Sequence, residues 1–236
     1  MKNLRVRLIK RIARTNDVES FRCEASEKLL FAPGQFVQVV FDEAARDNKE
    51  LNKYLSFSCS PTKGYIEFTK RLSNSAFSSR LRALRPDDEL LLKAPMGTCV
   101  FEERFKRIAF LIGGIGITPV ISIIEYIVEK KLDTDICLVY SNRTDEDIAF
   151  KDELDSWQGA NPNLHVSYLV TDCAPKDRTC MFGTINTSLV KSRVSDPAER
   201  TFFIFGPPRM VETMQQVCLE LGCSGERVKT ENFVGY

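Results

Sequence analysis

Residues 110–120 read FLIGGIGITPV, with three glycines and a proline set into an otherwise apolar run. Glycine inside a strand or helix costs about 0.5–1 kcal/mol relative to alanine, so the cluster marks a backbone requirement. Upstream, RIAFLIGG (107–114) has the composition of a buried strand. Downstream, TPVISIIEYIVEKK (118–131) has the apolar spacing of a helix. The glycines therefore turn a strand into a helix. Such a turn serves close packing, or it lets an anion reach main-chain N–H groups at the helix start, where the helix dipole favours negative charge. The spacing is not GxGxxG, and the stretch alone leaves both readings open.

Beyond this turn the pattern continues. DICLVYS (135–141), NLHVSYLV (163–170) and RTFFIFG (200–206) read as strands. DEDIAFKDELDSW (145–157) and PPRMVETMQQVCLELG (207–222) read as helices, the second with proline near its start and Gly222 near its end. Strands alternating with helices predict a parallel sheet in a doubly wound α/β domain. The first hundred residues differ. NLRVRLIKRIAR, GQFVQVVF, KYLSFSCS, GYIEFTKRL and DELLLKAPMG read as short strands, with one helix at SAFSSRLRAL (75–84). These predict a small antiparallel barrel. The boundary falls between Glu102 and Arg104, giving a β-barrel domain over 1–103 and an α/β domain over 104–236.

Composition narrows the function. The 236 residues carry 33 Lys+Arg against 32 Asp+Glu, a net charge of +1, which gives no bulk-charge argument for nucleic acid or a membrane surface. No apolar run approaches the ~20 residues that cross a bilayer, and the first eleven residues lack a signal-peptide core, so a cytoplasmic protein is expected. Eight cysteines occur without a CxxC, and His165 is the single histidine. The spacing offers no metal or iron–sulfur site and no histidine-based triad. Buried thiols in a reducing compartment are expected.

Six segments, KYLSFSCSP, TKRLSNSAFSSRL, APMGTCVF, GGIGITP, FGPPRM and ENFVGY, follow one another in an order that resembles the ferredoxin–NADP reductase superfamily of FAD-dependent oxidoreductases. The resemblance implies an FAD-binding barrel followed by a domain that binds NADH or NADPH. In KYLSFSCSP it places Lys53 where an arginine holds the pyrophosphate, Tyr54 beside it, Leu55 where a tyrosine covers the flavin ring, and Ser56 near the reactive nitrogen. Lysine keeps the charge without the bidentate fork, and leucine keeps apolar cover without ring stacking. Phe68, Thr69 and Lys70 would run along the flavin, and Phe77 and Ser78 would open the helix that meets FAD phosphate.

In the second domain the resemblance assigns Gly113, Gly114, Gly116 and Thr118 to nicotinamide and pyrophosphate, and Gly206 and Pro207 to a neighbouring turn. Phe205 stands where relatives hold a cysteine, so thiol-assisted hydride positioning is not available. Glu231 would lie near the nicotinamide, with Phe233 or Tyr236 over the flavin face. Ser56, Glu231 and Phe233 are the expected catalytic set. Ser141, Asn142 and Arg143 fall where the adenosine ribose binds. Arg143 could meet a 2′-phosphate or pair with Asp145 or Asp147, so NADH and NADPH both stay open. The implied function is electron transfer from NAD(P)H through FAD to a separate acceptor: a ferredoxin, a flavodoxin, an oxygenase component, a cytochrome or a small molecule. The alternative is an FAD-carrying electron-transfer subunit or adaptor of a larger redox complex.

Overall fold

Alternation in the first strand sets the barrel. Leu4, Val6 and Leu8 turn inward while Asn3, Arg5 and Arg7 face water. The computed structural model describes residues 2–45 and 47–233. Its first sheet is built from β1 (Lys2–Ala13), β2 (Val18–Ala25), β3 (Phe36–Val40), β4 (Asn52–Ser56), β5 (Ile66–Arg71) and β6 (Glu89–Met96). These run antiparallel in the order β4-β3-β6-β1-β2-β5. The sheet curls until its two ends nearly meet: Phe57 bridges Phe68, and the Ser58 N–H donates to the Glu67 carbonyl at 2.8 Å. Helix α1 (Ala76–Ala83) is capped by the Ser75 hydroxyl. It sends Phe77 and Leu81, both fully buried, into a core with Val37, Leu55, Phe68 and Leu92.

The second sheet is parallel throughout, as a βαβ grammar requires. It comprises β7 (Arg107–Gly113), β8 (Asp135–Asn142), β9 (Leu164–Val170), β10 (Cys180–Phe182), β11 (Thr201–Gly206) and β12 (Val228–Asn232), in the order β10-β9-β8-β7-β11-β12. Its helices are α2 (Ile117–Glu129), α3 (Lys151–Ala160), α4 (Thr187–Arg193) and α5 (Pro208–Glu220). Val211, Met214, Val217 and Cys218 of α5 pack into a core with Ala109, Leu111, Val139 and Ile204. The end of α5 is a Schellman motif. Gly222 takes φ +79°, its N–H reaches the Leu219 carbonyl, and the Cys223 N–H reaches that of Cys218, both at 3.0 Å.

Two compact units result: Met1–Phe101 with Thr118–Glu129, and Glu102–Ile117 with Lys130–Tyr236. Helix α2 thus counts with the barrel. Tyr126 meets Phe101 edge-on at 6.4 Å, and Glu125 accepts the Ser60 N–H at 2.6 Å and lies 3.2 Å from the Lys63 ammonium. Glu129 also binds Lys63 and Thr62.

The fold is the antiparallel barrel and parallel α/β domain that the sequence leads one to expect, with local differences. The stretch 145–157 is a short 3-10 turn followed by α3. The chain breaks at Phe150, which takes φ +62° between the buried Ala149 and the helix. β2, β10, β12 and α4 had no assignment from sequence. Charges interrupt the apolar pattern of β2, and β10 has only three residues. No described helix is long and apolar enough to cross a membrane.

Candidate functional site

The barrel concentrates positive charge along neighbouring strands. Lys53 on β4 is half-buried, Lys70 on β5 is 5% exposed, and Arg71 follows it. Burial first, and the charges of Lys53 and Arg71 second, pull the Lys70 ammonium down to about 8. Its Nζ donates to the Arg71 carbonyl at 2.9 Å. A lysine held this deep between like charges is a group that an anion would stabilise. Close by in sequence, Ser56 is 6% exposed, and its hydroxyl makes no hydrogen bond among the described residues. The start of α1 gathers three serines: Ser75 accepts the Ser78 N–H at 3.2 Å, and Ser78 accepts the Ser73 N–H at 3.1 Å.

Several residues expected to line a cofactor point elsewhere. Val37 pairs with Leu55 and Gln38 with Tyr54, so β4 turns Leu55 into the barrel core at 2% exposure and leaves Tyr54 outside. Tyr54 meets Phe36 edge-on at 5.8 Å. Leu55 therefore offers no apolar cover to a ring, and the exposed aromatic of this strand is its neighbour. Phe68 and Phe77 are likewise fully buried. Phe68 stacks on Phe21 at 5.5 Å, and Phe77 meets Phe41 at 5.3 Å. Only their backbone can face a ligand. The Thr69 hydroxyl is bound 2.7 Å from both Ser20 and Ser58. Arg14 connects that pair to Glu67, whose carboxylate also meets Arg22 at 2.8 Å. This network, invisible in the sequence, braces the strand that carries Lys70.

In the parallel sheet the three glycines serve three different needs. Gly114 takes φ +50°, a left-handed conformation that side chains resist, and has open space around it. A Cβ on Gly116 would lie 2.8 Å from the Phe205 carbonyl carbon, so this glycine lets the turn press against β11. A Cβ on Gly113 would overlap the Met210 sulfur, which also lies 3.0 Å from a Cβ built on Gly206. The packing reading of the turn thus holds for Gly113 and Gly116, and Gly114 alone leaves main chain open to an approaching group. Thr118, in the first turn of α2, is 2% exposed.

The strands β7, β8 and β11 end together at this edge with Gly113, Asn142 and Gly206. Asn142 is 6% exposed, yet neither its Nδ2 nor its Oδ1 has a hydrogen-bond partner among the described residues. A buried amide left unsatisfied costs about 1–3 kcal/mol, so this one is open to a partner that the described residues do not supply. The resemblance places Asn142 with Ser141 and Arg143 at the ribose, but nothing in "YSNR" separates an orphaned amide from a satisfied one. Ser141 is half-buried and Arg143 exposed. The Arg143 guanidinium has no partner among the described residues. Asp145 instead accepts the N–H groups of Lys176 and Asp177 at 2.9 Å, and Asp147 caps Thr144. The expected alternative of an Arg143 pair with either aspartate is therefore not what forms.

At the next edge Phe205 is fully buried and pairs in register with Glu231. Burial pushes the half-buried Glu231 carboxyl up to about 7. Phe233 donates its N–H to the Gly206 carbonyl at 2.9 Å, and its ring lies 6.4 Å from that of Phe205. Pro207 precedes α5, exposed. Tyr236 lies outside the described residues.

Two family models match this chain. Residues 4–101 match the model for the oxidoreductase FAD-binding domain, and residues 110–216 that for the oxidoreductase NAD-binding domain. NADH-cytochrome b5 reductase 1 of Dictyostelium discoideum is 32% identical over 165 residues, covering 68% of this chain and 57% of that protein. The glycine betaine monooxygenase reductase subunit of Chromohalobacter salexigens is 29% identical over 236 residues, covering 97% of this chain and 63% of that protein. The chain spans little more than half the length of the first curated relatives it matches. A ferredoxin NADP+ reductase from Neisseria gonorrhoeae, solved with FAD and NADP, shares the fold. Its TM-score is 0.83 at 21% identity, over 98% of this chain and 99% of that one.

Proposed function

Because this chain belongs to the ferredoxin–NADP reductase superfamily of FAD-dependent oxidoreductases, we propose that it takes electrons from NADH or NADPH and passes them through FAD to a separate acceptor. Its FAD-binding module runs over 1–103 and its NAD(P)-binding module over 104–236. The observation that carries the reading is the Lys53–Lys70–Arg71 cluster. A buried ammonium beside two further cations fits a pyrophosphate, and the uncommitted Ser56 hydroxyl fits a flavin ring polar atom. When bound, FAD supplies two-electron acceptance from a reduced nicotinamide and release in one- or two-electron steps. The chain's own work is to bind, orient and keep water away. Lys53 and Lys70 hold negative charge, the serines at the start of α1 accept a phosphate, and Tyr54 or Phe233 supplies ring contact. The open main chain at Gly114 and the Asn142 amide hold the dinucleotide, with Ser141 and Arg143 beside its ribose. Glu231, poised near neutrality, meets the nicotinamide amide.

The names of the relatives support a protein acceptor such as a cytochrome or an oxygenase component; a ferredoxin, a flavodoxin or a small molecule would fit the same chemistry. The test is anaerobic mixing of the flavin-loaded protein with NADH and, separately, NADPH. Loss of flavin absorbance with either supports the reductase. A protein that binds FAD but bleaches with neither at millimolar nucleotide is an electron-transfer subunit or adaptor. A protein that binds no FAD overturns both readings.

A further inference from the structure

The N-terminal edge of the parallel sheet carries a feature that hydride transfer does not use. β7, β11 and β12 begin there with Arg107, Thr201 and Val228, and an open pocket of about 600 Å³ forms against them. It lies a strand's length, about 20 Å at ~3.3 Å per residue, from the glycine turn that ends β7. Five of its lining residues are cationic: Arg104, Lys106, Arg107, Arg227 and Lys229. Glu199 and Glu226 are its carboxylates.

Local pairing absorbs only part of this charge. Arg107 is bound by Asp196 at 3.2 Å and by Glu199, and Arg227 donates to the Glu199 carbonyl. Arg104 meets Glu102 at 2.9 Å, but the arginine is largely exposed and the glutamate partly so, and such a surface pair contributes little. The Lys106 and Lys229 ammonium groups have no ion-pair or hydrogen-bond partner among the described residues. The floor is Phe105, anchored edge-on against the buried Phe203 at 6.2 Å. The Lys229 ammonium lies 5.3 Å and the Arg104 guanidinium 5.4 Å from its ring centre. The Phe105 ring holds these two cations at a concave wall despite their mutual repulsion, and there the positive field is focused. In a chain whose net charge is only +1, this is a local excess.

We propose that this pocket binds an oligophosphate anion, separate from the dinucleotide site and independent of the reductase reading. A single orthophosphate would occupy a small part of a cavity this size, which falls in the range of ~300–1,000 Å³ typical of small-molecule sites. A chain of phosphates can engage Lys106, Lys229 and Arg104 together, replacing the weak surface pair and the unpartnered ammoniums with charge-assisted contacts. Two sources share this chemistry, inorganic tripolyphosphate and the tail of a nucleoside triphosphate.

The experiment is calorimetric titration of the full chain with tripolyphosphate, ATP, AMP and orthophosphate, each at low and high salt. Tripolyphosphate is expected to bind at least tenfold tighter than orthophosphate, and added salt should weaken it strongly. ATP tighter than tripolyphosphate, with the difference lost in K106E/K229E, assigns the nucleoside triphosphate as ligand; equal affinities assign the phosphate chain alone. The double substitution K106E/K229E should weaken tripolyphosphate at least tenfold with an unchanged melting temperature. Lys10→Ala, an exposed cation on β1 of the barrel, should leave it unaltered. Equal binding of orthophosphate and tripolyphosphate, or affinity that survives the double charge reversal, overturns the proposal.

Discussion

Lys70 shows how one residue ties protonation to two opposite outcomes. Its pKa lies at about 8, below the lysine reference of 10.5. Between about pH 8 and 10.5 the unfolded chain therefore holds a proton that the folded chain has released. From this group alone, stability of the FAD-free protein should rise with pH across that window. FAD affinity should move the other way, because the pyrophosphate attracts the ammonium and not the amine. Fluorescence titration should show FAD weakening by up to about tenfold per pH unit above about 8, while Lys70→Met flattens the profile. An unchanged slope in the variant would remove Lys70 from the flavin site. At the other cofactor, Arg143→Ala should lower kcat/KM for NADPH about tenfold and leave NADH unaltered, since its guanidinium is uncommitted and suited to a 2′-phosphate. Equal loss with both nucleotides, or none, would show that Arg143 does not read that phosphate. Residue identities in the sequence suggested Lys53, Ser56 and Arg143 as candidates, but they could not tell faces apart on β5. Five of its six residues are buried, so alternation carries no signal there, and Phe68 is a core residue despite its place in the expected flavin strand.

The turn between β7 and α2 carries its constraints as an element. Gly116→Ala forces a methyl group against the backbone of β11, which has no rotamer to change. Gly114→Ala meets open space and bears only the left-handed penalty of about 1–2 kcal/mol. The alanine at 116 should therefore lower the melting temperature by several degrees more than the alanine at 114, and Gly114→Asn should recover part of the smaller loss. Thermal melts followed by circular dichroism check the ranking. A reversed order would mean that β11 yields to the methyl group. The glycine cluster and the strand–helix alternation were legible because each follows from composition and period. The break at Phe150 was not. No glycine or proline marks it, and an aromatic residue at φ +62° is held there by burial of its neighbours. β12 was not legible because VKTEN has no alternation to show, and its partner β11 supplies the order.

On the scale of the whole molecule, an antiparallel barrel followed by a parallel α/β half was legible from the change of grammar along the chain, but the place of α2 was not. Apolar residues cover most of that helix, so its sequence says only that it is buried. Its ties to Ser60, Thr62, Lys63 and Phe101 count it with the barrel. A fragment ending at residue 103 should accordingly melt several degrees below one in which residues 118–129 are appended through a flexible linker. Equal melting temperatures would make the helix dispensable to the barrel. The same arrangement bears on synthesis. A ribosome must build β7 before it reaches the helix that completes the barrel, and it then continues to residues 201–206 before β7 gains its second neighbour, β11. At ~5–20 residues per second that interval lasts about several seconds, with IAFLI of β7 exposed on the nascent chain. Ribosome-bound chaperones would find their target there, and slowing translation after residue 129 would lengthen the period in which this strand can aggregate.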